Sequence, residues 1–490
     1  AISFAKEVLK QDFESIDHVV STFPVAKTSQ YSSYEETENM IKNKGGEFRF
    51  ISHHKSHAAH AFYSSKLSSA IVITLDGGGV EDDKGQETAS TIWIGNDLDL
   101  THVKTFHPAQ INIGGVWTRV TRYVFKLQNG WPLGGQEGTV MAMAALGNPE
   151  KYHDDFYRML TVDILPAGFK PPTQPKGAYV PGKDPIHPYL ERWADIAARS
   201  EQDKYDLAAS FQSATERLVR ELLEAILREI PLRNICIAGG VALNSVCMGK
   251  IKSWFPDRLD EIYIPPVPYD GGLCIGAAQY FWHAVLRNPR IEWKDNFTPY
   301  LGEQWNLQSV EDAIKDIPSN VVIRKMSDSD VIDMIADGKI VSIFNSKSES
   351  GRRALGNRSI LADPRSQEMK DKVNLKVKHR QWFRPFAPSI LAEEVQNWFV
   401  SPQSSPYMQF VIKFRDDVKD KVPAVVHFDG TARLQTVHKD DNPWYHGFIK
   451  KWFEKSGVPI ILNTSFNDRE PICENPKHAV DCFLGTEIDC

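Results

Sequence analysis

At 490 residues the chain is too long for a single core, so two domains are the natural expectation. With 42% hydrophobic residues, 24% charged residues and a net charge of -6, the composition is that of a soluble, mildly acidic globular protein and argues against a general nucleic-acid-binding surface. No apolar run approaches the roughly 20 residues of a bilayer span, which excludes a membrane helix and points to small-molecule partners.

In chain order, the first distinctive stretch is "FISHHKSHAAHAFYSS", with four histidines in eight positions. His53 and His57 have the i, i+4 spacing that stacks two imidazoles on one helix face, a geometry that chelates a divalent metal or else makes a polar helix face. "SSAIVITLDGGGV" then reads as a buried strand, Ala70 to Leu75, ending in Asp76 and the turn Gly77-Gly78-Gly79, with "STIWIG" as the second strand of a hairpin. The Pro-, Gly- and Lys-rich stretch near 165–190 reads as a surface excursion. "YDLAASFQSATERLVRELLEAILREI" is one long amphipathic helix, followed by the strand "NICIAGG" and the turn Gly239-Gly240. "EIYIPP" is a further strand, and "YDGGLCIGAAQYFW" carries Asp270, Gly271 and Gly272 into an apolar helix.

Two imidazoles joined by the strand-end carboxylates Asp76 and Asp270 suit iron, manganese or zinc, and residue type does not choose among them. The three acidic or glycine-rich turns bring backbone N–H groups toward phosphate oxygens, suggesting a nucleotide held between two lobes, as in the actin and sugar kinase fold.

The stretch "NPRIEWKDNFTPYLGEQWN" breaks the periodicity and is the expected boundary, dividing the chain into 1–300 and 301–490, both α/β. Beyond it come a helix ("SDVIDMIADG"), a strand ("KIVSIF") and a strand ("VPIILN") ending in the turn "NTSFN". Between them, Arg352, Arg353, Arg358, Arg365, Lys376, Lys378, Arg380 and Arg384 are interleaved with apolar residues, so some must lie near the core. A buried cation stripped of its partner costs on the order of 3–5 kcal/mol. Nearby acids are few: Glu349 and Asp363 could satisfy two, leaving either an internal salt-bridge network or a phosphate-bearing ligand for the rest. "HFDGTARLQTV" adds Arg433. The six cysteines, Cys236, Cys247, Cys274, Cys473, Cys482 and Cys490, form no C-x-x-C pair, which fits free thiols in a reducing cytoplasm.

Ten ordered segments resemble the O-carbamoyltransferases of the NodU/CmcH type: "HHKSHAAHAFYSS", "ITLDGGG", "GGVWTRVT", "MAMAALGNPEKY", "IAGGVALN", "PPVPYDGGLCIGAA", "RRALGNRSILADPR", "FRPFAPSIL", "HFDGTARLQTV" and "GVPIILNTSFN". The resemblance implies an actin-like ATPase domain, similar to threonylcarbamoyl transferases, followed by a YrdC-like domain. It implies a metal, iron in the family, on His53, His57, Asp76 and Asp270. Carbamoyl phosphate would be gripped by Lys378, Arg384 and Arg433, with Arg353 a further contact. Gly239, Gly240 and Asn244 would lie along ATP, with Gly77, Gly78, Gly271 and Gly272 in the other turns, and His54 is offered as the general base. The acceptor would be a small-molecule hydroxyl, with neither nucleic acid nor membrane as partner and a homodimer allowed. Two other readings are a tRNA-modifying threonylcarbamoyl transferase, which lacks an arginine-rich second half, and a non-catalytic nucleotide-binding scaffold.

The sequence departs from the family pattern in places. The "GHDAS"-like hairpin and the "EERFSRxKH" segment that open such proteins do not occur, the chain begins at Ala1 rather than Met, and "GTEIDC" is a short carboxyl end. Ser346-Lys347 stands for the usual Gly-Arg, Ser350 for an aromatic residue, Arg352 for proline and Thr139 for lysine.

Overall fold

Two sheets organise the chain in the computed structural model, which describes residues 18–22, 39, 42–43, 46–81, 87–108, 110–127, 136–161, 188–293 and 296–490. Most of the stretch expected to be a surface excursion lies outside the described residues. A short parallel pair, β1 (His18–Ser21) and β2 (Glu47–Phe50), precedes helix α1 (His53–Tyr63). The first sheet comprises β3 (Ser69–Val80), β4 (Glu87–Asn96), β5 (Asp99–Phe106), β6 (Asn234–Ala238) and β7 (Glu261–Tyr263) in the order β5-β4-β3-β6-β7. β3, β6 and β7 run parallel, whereas β4 and β5 return antiparallel. The central strands are near-continuous β-branched runs because both faces are covered.

The expected turn at Gly77 is instead strand. β3 continues to Val80 with an irregular register between Leu75 and Gly79, as a bulge bends the strand without ending it. The long helix, here α2, spans Glu201–Glu229, starting four residues before the tyrosine that opened the expected run because Ser200 caps it through the Asp203 N–H. After β6 come α3 (Ser245–Trp254) and, past a single 3₁₀ turn at Asp270–Gly272, α4 (Leu273–Tyr280).

The second sheet holds β8 (Val341–Phe344), β9 (Arg358–Ala362), β10 (Ala387–Leu391), β11 (Phe410–Lys413), β12 (Thr431–Val437) and β13 (Ile460–Ser465), ordered β11-β12-β10-β13-β9-β8. All neighbours pair antiparallel except β10 and β12. β13 runs on through Asn463, Thr464 and Ser465, so part of the expected "NTSFN" turn is strand. The fold class is thus α/β, with one large sheet in each half of the chain and the small β1–β2 pair in the first.

The halves meet where α3 crosses the edge strand β11. A Cβ on Gly249 would stand 2.0 Å from the Val411 carbonyl oxygen, so only glycine allows this approach, and the edge of the second sheet is covered by it. The connector is tied to both sides: the Arg290 guanidinium donates to the carbonyls of Phe62, Ser65 and Leu67, while Asn296 donates to Asp441.

Candidate metal centre and anion pocket

Helix α1 is buried on nearly every face, and its small residues let α4 come close: a Cβ on Gly276 would lie 1.8 Å from the Ser56 carbonyl oxygen. This contact carries the Asp270 turn onto the His53 and His57 face. From the other side, β3 delivers Asp76 at the carboxyl end of its regular pairing, beside the end of parallel β6, the position where open α/β sheets place ligands.

Four side chains converge there. His53 Nε2 lies 2.9 Å and His57 Nε2 3.1 Å from Asp76 Oδ2, with Asp270 Oδ1 at 3.7 and 3.4 Å from the same two nitrogens. One donor atom from each residue falls within 4.8 Å of all the others. Ligands about 2.0–2.2 Å from one ion are separated by distances of this size, so the quartet fits a divalent metal. The second coordination layer fits too. Asp76 Oδ1 accepts the N–H groups of Gly77 (2.8 Å) and Gly240 (3.2 Å), which fixes the carboxylate and leaves Oδ2 for the centre. Space for His53 depends on Gly79, where a Cβ would approach the ring to 2.2 Å. Burial opposes charging of His57, yet the hydrogen bonds to Asp270 and Asp76 outweigh it and lift its pKa to about 9. Burial likewise favours neutral Asp76, but the two imidazoles hold it well below the usual carboxylate range. Asp270 is the open member, its side chain 58% exposed against 12% for Asp76, so the cluster faces the cleft on that side.

His54, expected as general base, is corrected by its surroundings. It is fully buried; Nε2 donates to the Thr88 carbonyl (2.7 Å), which leaves Nδ1 to accept from the Thr74 hydroxyl (2.6 Å). Burial, then the neighbouring His53 and His57, push its pKa down to about 3, so it is a neutral structural imidazole with no free lone pair. His60 is buried as well, against Phe297.

The glycines serve close approach. Gly239, at φ 94°, would put a Cβ 2.1 Å from the Leu75 carbonyl oxygen, and its N–H donates to Pro268 O (2.7 Å). Asn244 caps α3 through the Cys247 N–H and exchanges amide hydrogen bonds with Gln212. Gly77 packs on the backbone of Gly114 and Gly115, Gly78 adopts φ 153°, Gly271 lies under the Tyr269 ring, and Gly272 abuts the Val267 carbonyl.

In the second half, several expected cations find ordinary partners. Arg365 pairs with Asp363 (2.8 Å), Lys376 with Glu487 (2.7 Å), and buried Arg358 donates to carbonyls of Asn345, Ser346 and Asn357. Glu349 departs from expectation: its Oε1 accepts three backbone N–H groups and no guanidinium. Arg353, Arg380, Arg384 and Arg433 behave differently. Among the described residues none forms an ion pair; Arg380 donates to Asn374 Oδ1 (2.7 Å) and the Pro385 carbonyl (3.2 Å), while the buried Arg433 Nε has no acceptor. Burial, then repulsion from Arg353, Arg380 and Arg384, drives the Arg433 pKa well down, and burial with Arg352 and Arg384 takes Arg353 to about 10. Such a group of cations without carboxylate partners suits an anionic ligand. Lys378 stands beside it with Nζ held by Ser465 and Asn467 oxygens at 2.6–3.3 Å. Its donors are already engaged, so what it can offer the neighbouring guanidinium cluster is charge when protonated.

Arg433 opens onto a cavity of about 380 Å³ that also reaches Gln212, Ser245 and Lys250 of the first half. Gln212 holds Asn244, and the short 3₁₀ turn Gly240–Leu243 runs from there back to the Gly240 that holds Asp76, so one backbone segment links the cavity wall to the His–Asp cluster. The sequence did not single out His427, which lines this cavity with Nε2 unpartnered and its pKa pushed down to about 4, chiefly by burial. His427 lies in the same motif as Arg433, which was the available signal.

Sequence-family models for the carbamoyltransferase N-terminus and C-terminus match residues 17–279 and 332–490. An uncharacterised protein of Synechocystis sp. is 34% identical over 477 residues, covering 90% of this chain and 74% of its own length. Nodulation protein NolNO of Sinorhizobium fredii is 33% identical over 454 residues, and this chain, 90% covered, spans 62% of it. The crystal structure of full-length HypF in its phosphate- and nucleotide-bound form is more distant, at 13% identity and a TM-score of 0.33 over 60% of this chain and 42% of that one. With both halves matched in order over most of its length, the chain belongs to the carbamoyltransferase family of enzymes.

Proposed function

We propose that the protein is an ATP-dependent O-carbamoyltransferase that makes carbamoyl adenylate and passes the carbamoyl group to a small-molecule hydroxyl. The observation that carries this reading is the set of guanidinium groups without a carboxylate partner, Arg353, Arg380, Arg384 and Arg433, of which Arg433 lines a cavity that spans both halves. A dianionic phosphate ester satisfies these cations where no protein carboxylate does. In this scheme Arg353, Arg384 and Arg433 hold carbamoyl phosphate while water attacks its carbonyl carbon and expels phosphate, leaving carbamate. Carbamate oxygen then attacks the α-phosphorus of ATP and expels pyrophosphate, giving a mixed anhydride with AMP as a good leaving group. The acceptor hydroxyl attacks the carbamoyl carbon, its proton is lost, and AMP departs. Burial between the two halves keeps water from the labile carbamate. His53, His57, Asp76 and Asp270 would hold a divalent metal, iron by family resemblance, which when bound neutralises charge on the phosphates. The division of labour follows the proposed domains, 1–300 for adenylate and transfer and 301–490 for carbamoyl phosphate. A tRNA-modifying transferase is the weaker reading, because it leaves the second half without a purpose.

The test is to incubate the complete gene product with carbamoyl phosphate, ATP and candidate alcohols and to follow AMP and pyrophosphate. ADP without AMP would overturn the proposal. A pH dependence follows from Lys378. Burial, then Arg380 and Arg384, lower its pKa to about 7, and a bound dianion favours the charged form. Above about pH 7 donor binding must therefore take up a proton, so the apparent Kd for carbamoyl phosphate should rise by up to about tenfold per pH unit. Titration calorimetry across pH 6.5 to about 8.5 should show this limb in the wild type, and Lys378→Met should flatten it.

A further inference from the structure

The loop that carries Arg353 reaches beyond the anion pocket. Buried Glu349 gathers it by accepting the N–H groups of Leu355 (2.7 Å), Asn357 (2.8 Å) and Arg358 (3.2 Å), and the Ser350 N–H donates to Pro299 O (2.7 Å). At the tip, Gly351 has φ 102°, and a Cβ there would lie 2.8 Å from the Pro266 carbonyl oxygen of the first half. The next residue, Arg352, places its guanidinium 4.6 Å from the centre of the Tyr269 ring.

Tyr269 directly precedes Asp270. Its ring covers Gly271, where a Cβ would come 3.0 Å from it, and its carbonyl accepts the Gly272 N–H (2.8 Å). One residue earlier, the Pro268 carbonyl accepts the Gly239 N–H (2.7 Å), next to the Gly240 that holds Asp76. Segment 266–272 therefore carries Asp270, reaches Asp76 only through Gly239 and Gly240, and meets the arginine loop at Pro266 and Tyr269. Arg352, which faces Glu137 as well as the Tyr269 ring, and Arg353 are neighbouring cations against the turn bearing Asp270. Their field opposes a divalent cation at that turn, and a phosphate on Arg353 offsets it.

We infer that Arg352 and Tyr269 couple the two sites, so that a phosphate-bearing donor and a divalent metal bind cooperatively. This rests on the function proposed above and adds a mutual dependence: the donor favours the metal-loaded protein, and the metal favours the donor-loaded one. Both are positioning residues, acting through Asp270 and Arg353. Linkage requires that each ligand tighten the other by the same factor.

The experiment measures Mn²⁺ binding from the paramagnetic resonance of the free ion, with and without saturating inorganic phosphate, and phosphate binding by calorimetry with and without Mn²⁺. Wild type should show about fivefold or greater tightening in both directions. In Arg352→Met and Tyr269→Leu each ligand should still bind alone, with the ratio falling toward one, while Tyr269→Phe, which keeps the ring, should retain it. A ratio of one in the wild type, or an undiminished ratio in Arg352→Met as direct phosphate ligation to the metal would give, overturns the coupling. Failure of wild type to bind either probe overturns the functional reading beneath it.

Discussion

His57→Ala is expected to abolish metal retention and, with it, carbamoyl transfer. His57 has no exposed surface and its Nε2 faces both Asp76 (3.1 Å) and Asp270 (3.4 Å), so no water-filled route restores the lost donor. Changes to outer partners of metal ligands already cost about 10–100-fold in affinity or activity, and removal of a ligand should exceed that range. Metal content by mass spectrometry should fall to background. The metal-free variant should also be less stable than metal-free wild type, by about 1–3 kcal/mol, because Asp76 loses one buried partner while keeping His53 and two backbone N–H groups. Carbamoyl phosphate affinity should match that of metal-free wild type, since the guanidinium groups belong to the other half. Equal metal content in His57→Ala and wild type would remove the metal assignment.

What could be read without coordinates was what depends on spacing along the chain. His53 and His57 one helical turn apart, and Asp76 and Asp270 each at the end of an apolar run before glycines, are local patterns, and the structure brings all four together. Turn and strand were harder to separate at Gly77, because a bulge and a turn share the same glycine signal. His54 looked like its neighbours until its two hydrogen bonds, to residues 20 and 34 positions away, fixed it as structural. Charge counting correctly anticipated too many cations for the available acids, yet it could not sort them. Arg365 and Lys376 found acids, Arg358 found carbonyls, and Arg380 and Arg433 were left to the pocket only by the register of the second sheet and the turn after residue 376. The Arg352–Tyr269 contact lies wholly beyond such reasoning, because it exists only once the halves dock.

Arg433→Met separates the cost of the anion pocket from its use. Along β12 the side chains of Thr431 and Arg433 share the face that lines the cavity, while Ala432 and Leu434 fill the core, so the substitution changes one wall of the pocket without touching the packed side. In the ligand-free protein Arg433 is destabilising: its Nε has no acceptor, and Arg353, Arg380 and Arg384 repel it. Replacement of such a buried cation by an apolar side chain of similar length should stabilise the fold by up to about 1–4 kcal/mol, read as a higher denaturant midpoint at unchanged slope. Metal content should stay at the wild-type level. Carbamoyl phosphate use should collapse, with kcat/KM down by about 100-fold or more, since a charge-assisted phosphate contact in a desolvated pocket is lost. The opposing signs distinguish a binding residue from a structural one: a structural arginine would lower stability and activity together, and a spectator would change neither. A destabilised Arg433→Met that still uses carbamoyl phosphate would show that these cations hold the fold rather than the donor.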